Sequence, residues 1–185
     1  MTRPGSEPLL TLEPVLNAVQ AGVEAAGWSM SGLQKTTSFS YEGRWAGATS
    51  RSAYLTFHGS GVPAWASVDV FLDETSAGVD GNLALVVDGL PLGSVGDPAL
   101  ALSRLGAVAA ASLPMAPRTP VTLRLRLADG RESVAAAETE ARFRVRLPQA
   151  AIGAGAAAVK AFAAACVEAF AALAADPELL RFVEG

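Results

Sequence analysis

Between Trp28 and Gly96 the apolar residues recur at every second position, in four separate runs, and no gap between runs is long enough to hold a crossover helix. The runs are Phe39 and Tyr41, then Ala53, Leu55 and Phe57, then Val68, Val70 and Leu72, then Leu83, Leu85 and Val87. A period of two places such residues on one face of a strand, so this pattern demands half-buried strands. Turn formers punctuate it at residues 43–47, 59–63, 77–82 and 91–96. Four antiparallel strands in a meander are the simplest solution. Trp28 to Met30 start the first strand early, with Gly32 marking a bulge or bend.

The flanking segments change period. Leu12, Val15, Leu16, Val19 and Val23 form one stripe of a helix, with Thr11 as its expected cap, Pro14 in the first turn and Gly27 at the left-handed stop. Asp97 and Pro98 open a second helix along Leu102, Leu105, Val108 and Leu113, ended by Pro114 and Pro117. Two further strands follow, 121–127 and 142–147, in which apolar residues alternate with arginines. A long helix over about 150–175 aligns Ile152, Val159, Phe162, Cys166, Phe170 and Leu173, its first turns weakened by Gly153 and Gly155. Asp176 and Pro177 then cap a short helix bearing Leu179, Leu180, Phe182 and Val183. The predicted class is α+β, with a mainly antiparallel sheet in the order helix, four strands, helix, two strands, long helix, short helix. Residues 1–7 are expected to be a flexible leader and 8–185 a single domain, since 51% hydrophobic residues in 185 can bury one sizeable core.

One cysteine, Cys166, excludes an intramolecular disulfide and suits a reducing compartment. The start of the chain lacks the continuous apolar core of a secretory signal, and 150–175 is mostly alanine interrupted by Lys160 and Glu168, unlike a bilayer span. The expected location is therefore cytoplasmic. Abundant alanine, with arginine in excess over lysine, matches the codon bias of GC-rich bacterial genomes.

Catalytic and metal chemistry find little material. Nucleophilic catalysis has only His58 and Cys166 to draw on, the first at a strand end and the second on an apolar helix stripe. One cysteine and one histidine do not make a zinc site. Asp73, Glu74 and Asp80 in DETSAGVDGN lack the alternating oxygen pattern of a calcium loop and read as solvated turn residues. Asp69 and Asp88, on neighbouring strands, are the only carboxylate pair to inspect for a shared pocket. No GxGxxG or GxxxxGKS occurs, and GSGV at 59–62 reads as a plain turn. No catalytic residue, metal ligand or cofactor is assigned.

The unusual feature is charge placement. The net charge of -4 disfavours global coating of nucleic acid, yet seven arginines fall between Arg118 and Arg146. Five of them, Arg124, Arg126, Arg142, Arg144 and Arg146, alternate along the last two strands and define a candidate polyanion or partner surface. Like charges on one sheet face repel unless offset, and Glu132, Glu138 and Glu140 are available to offset them. Two registers are open. A tight Asp129–Gly130 turn sets Arg124 opposite Ala135; a wide loop over 129–139 sets Arg124 and Arg126 beside Arg144 and Arg142. The stacking aromatics of single-strand binding surfaces are missing from this face.

In element order the chain resembles the α+β fold of type III secretion chaperones and related bacterial chaperone-like domains, whose order is helix, three strands, helix, two strands, helix. This sequence departs from it by one extra early strand. The resemblance implies a homodimer that binds a segment of another protein without catalysis. The leading expectation is thus a non-enzymatic protein-interaction module, chaperone-like or regulatory, acting as a homodimer on an unidentified protein partner. The alternative is nucleic-acid or polyanion binding through the arginine face, and the third an enzyme with a carboxylate or cofactor site assembled from scattered residues.

Overall fold

A computed structural model describes residues 11–41, 45–90, 97–113, 121–129 and 137–184. Its elements run α1 (Leu12–Ala25), β1 (Trp28–Tyr41), β2 (Trp45–Gly59), β3 (Ala66–Thr75), β4 (Gly78–Asp88), α2 (Pro98–Ser112), β5 (Val121–Arg126), β6 (Glu138–Arg146), α3 (Gln149–Ala154), α4 (Ala156–Ala174) and α5 (Pro177–Glu184). The α+β class and element order match the expectation from the sequence. The six strands form one antiparallel sheet in the order β1-β2-β3-β4-β6-β5. The leader expected at 1–7, the turn formers at 43–44 and 91–96, Pro114, Pro117, Gly130 and Glu132 lie outside the described residues.

One face of the sheet carries the core. Leu55, Phe57, Val68, Val70, Leu72, Leu83, Leu85, Val87 and Phe143 are all fully buried, as the alternation requires. They join α1 residues Leu12, Val15, Leu16, Val19 and Val23 and α4 residues Val159, Ala163, Cys166, Val167, Phe170 and Leu173 in one cluster. Each large side chain so buried contributes about 1.5–3 kcal/mol. The α4 stripe is rotated from the expected one: Phe162 is only half-buried, and Ala163 and Val167 take the inner positions. Small inner residues permit close helix approach. At Gly22 of α1 an added Cβ would stand 2.4 Å from the Lys160 carbonyl oxygen and 2.9 Å from the Ala163 Cβ, so the α1 and α4 backbones nearly touch. By length and composition α4 alone among the described helices could cross a membrane, contrary to the expectation, yet its inner face is spent on this core.

Several local expectations are corrected. Thr11 makes no side-chain cap bond to α1; instead the Leu12 N–H donates to the Glu74 carboxylate of β3. The long helix is broken at Gly155, whose φ of 97° belongs to the left-handed region, so α3 and α4 are separate. The α2 stripe is Ala101, Leu105 and Ala109, with Leu102 exposed. The β3–β4 turn is tight, with Thr75 opposite Gly78, so residues 78–82 belong to β4 and Asp73, Glu74 and Asp80 are strand residues. Asp97 and Asp176 do cap their helices, accepting from Ala99 N at 2.8 Å and Glu178 N at 2.8 Å.

Candidate interaction surface

The arginines belong to the sheet face opposite the core. In β6 the odd residues Phe143 and Val145 face inward, which sends Glu138, Glu140, Arg142, Arg144 and Arg146 outward. β5 ends at Arg126 opposite Glu138, which excludes the tight Asp129–Gly130 turn, and the arginine-beside-arginine register does not occur either. Arg124 pairs with Glu140, Arg126 with Glu138 and Thr122 with Arg142. Acid opposite base is the arrangement that cross-strand electrostatics favours, and it removes the repulsion that arginine beside arginine would create.

Partners extend beyond β5 and β6. Arg142 forms a two-bond clamp on Glu140 of its own strand, Nε to Oε1 at 2.7 Å and Nη2 to Oε2 at 3.1 Å, and its Nη1 lies 3.0 Å from Asp69 Oδ2 on β3. Asp69, almost wholly buried, also accepts from the Tyr54 hydroxyl and, at 3.1 Å, from the Thr56 hydroxyl of β2. Arg146 grips Asp80 of β4 at 3.1 and 2.6 Å, Arg124 reaches Glu140 at 3.5 Å, and Arg126 reaches Glu138 at 3.6 Å. Arg144 alone of the five has no acid in ion-pair reach among the described residues. It lines a shallow cleft of about 320 Å³ with Phe71, Asp73, Asp80, Asn82 and Arg146.

These contacts shift the titrations. The Arg142 guanidinium holds Glu140 below the ordinary carboxylate range, and Glu140 in turn raises Arg142. Arg146 lowers Asp80 in the same way. Partial burial, then the Asp69 bond, raises Tyr54. Asp88 is raised by partial burial and by Glu140, the residue directly across from it. The Asp69–Asp88 pair is not brought together: Asp69 lies opposite Ala84, four residues from Asp88 along β4, and its oxygens are already occupied. His58 is exposed at the end of β2, and burial pushes the Cys166 thiol up to about 12.

Two other surfaces stand out. An open groove of about 490 Å³ between α2 and α5 has Leu105, Val108, Leu179 and Phe182 among its lining residues and Arg104 and Arg181 beside them. At the other end of the molecule β1 is an edge strand whose described side chains from Ser29 to Thr37 are all exposed, including Met30 and Leu33. Sequence periodicity did not reveal this strand's length, because Gln34 to Ser38 are polar on both faces. Among the described residues no three His, Cys, Asp or Glu side chains gather as a metal site. No family model, curated protein or solved structure matches the chain.

Proposed function

We propose that this protein is a non-enzymatic interaction module, chaperone-like or regulatory, that acts in the cytoplasm as a homodimer and recognises another protein through its sheet or helix surfaces. The observation that carries this reading is the self-neutralisation of the arginine face. Arg124, Arg126, Arg142 and Arg146 each have an acid of the same chain in ion-pair range, so little uncompensated positive charge is left to attract phosphates. Among the exposed apolar side chains, Phe71 sits in the Arg144 cleft and Leu125 and Leu127 lie on or just after β5, but Met30 and Leu33 on β1 and Leu100 and Leu102 on α2 lie away from the arginines and offer the kind of area that protein partners cover.

Nucleic-acid or polyanion binding is the second reading, favoured by one observation: Arg144, without an acid in ion-pair reach among the described residues, shares a cleft with the exposed head of Arg146. Fluorescence anisotropy with single- and double-stranded DNA separates the two. Negligible binding at physiological salt is expected, together with a two-chain mass by light scattering at micromolar concentration. A salt-sensitive micromolar affinity that disappears in the R124A/R144A/R146A variant would put the second reading first. Arg142 is left intact in that variant because its network is structural.

A further inference from the structure

We infer that β1 is the dimer strand: it pairs antiparallel with β1 of a second copy, joining two six-stranded sheets into one. The inference rests on the homodimer reading above and says where the contact lies. The two edges of the sheet are built differently. β5 is six residues long and carries Arg124 and Arg126, the charges and brevity that blunt an edge against further pairing. β1 is fourteen residues long, contains no proline, and bears a single charge, Lys35. Its backbone is paired to β2 on one side only among the described residues. Met30 and Leu33 share the core-side register with Phe57 and Leu55, yet they are 38% and 46% exposed, so the apolar strip of this face runs out to an uncovered edge.

A second copy fits that edge better than an unrelated strand because an antiparallel edge is complementary to itself about a two-fold axis, and the pairing closes at two chains. The bulges select the register. Register shifts between Met30 and Gly32 and between Phe39 and Tyr41 bracket a regular run over 32–39, whose midpoint falls between Lys35 and Thr36, so the axis lies at one of these two residues. A two-fold axis at Thr36 sets Thr36 opposite its own copy, a favourable pair, and Lys35 opposite the partner's Thr37. Shifting the axis to Lys35 would oppose two ammonium groups instead.

The test combines light scattering with oxidative cross-linking of full-length variants Lys35→Cys, Thr36→Cys and Thr37→Cys, with Thr122→Cys on β5 as the control edge. Cys166 stays in place because it is buried. Expected are a two-chain mass for the parent protein, a disulfide-linked dimer strongest for Thr36→Cys and absent for Thr122→Cys, and a halved mass for M30K/L33K with unchanged circular dichroism. A dimer that gives no cross-link through any β1 cysteine and survives M30K/L33K would overturn the assignment to β1 while leaving the homodimer standing. A one-chain parent at high concentration would overturn both.

Discussion

Arg142 Nη1 stands 3.0 Å from Asp69 Oδ2 although β4 lies between their strands. The guanidinium reaches across β4 at the level of Ala84 and Val86, and these two outward-facing residues are 2% and 3% exposed. A long basic side chain thus roofs an apolar patch on the sheet's outer face while its head closes an ion pair. Replacing Arg142 by Met keeps the stem and leaves Asp69 without its counter-charge. A loss of about 1.5–3 kcal/mol in urea unfolding is expected. The D69N/R142M double variant should lose less than the sum of the singles, because removing both charges removes the uncompensated one.

Asp88 and Glu140 face each other across β4 and β6 with opposite titration behaviour. Glu140 is depressed, so its stabilising share is present above the unfolded carboxylate value of about 4 and is lost as the pH falls through the folded one. Asp88 is raised, so its folded carboxylate costs stability once the pH rises past that same range. Asp88→Asn should therefore stabilise at pH 7, by less than about 1 kcal/mol given its exposure, with no gain at pH 3. Glu140→Gln should destabilise at pH 7, and the difference from the parent should shrink in acid. Thermal melts at the two pH values measure both.

Gly22 and Gly106 both lie in helices, but only the first is crowded. Gly22→Ala drives a Cβ into the Lys160 carbonyl and should cost about 1–3 kcal/mol or more. At Gly106 nothing lies within 4 Å, so Gly106→Ala should gain about 0.5–1 kcal/mol from helix propensity alone. Denaturant midpoints of opposite sign are the expected outcome.

Phe170 is fully buried and Phe162 is not. Phe170→Ala should lose about 3–5 kcal/mol, and Phe162→Ala clearly less. Equal losses measured by chemical unfolding would place α4 in a different rotation.

The sheet core was readable in the sequence because Val68, Val70, Leu72, Leu83, Leu85 and Val87 obey period two without exception. On α4 the many alanines flatten the helical contrast, so Phe162 competes with Ala163 and Val167 for the inner face and only packing against α1 decides. The arginine partners were partly legible: Glu138 and Glu140 lie nearby in sequence, whereas Asp69 and Asp80 come from strands whose neighbours are set by a non-sequential sheet order. Asp80 was further hidden by its turn-forming context, DETSAGVDGN.

The close seating of α1 against α4 joins segments separated by the entire sheet. A chain emerging from a ribosome therefore makes α1 and the first four strands well before the helix that shields them exists. Until α4 is synthesised, the apolar face of β2, β3 and β4 has only part of its cover, so cooperative closure comes late and the nascent chain is exposed to mispairing. Truncation before Ala156 is accordingly expected to yield aggregation rather than a smaller folded unit.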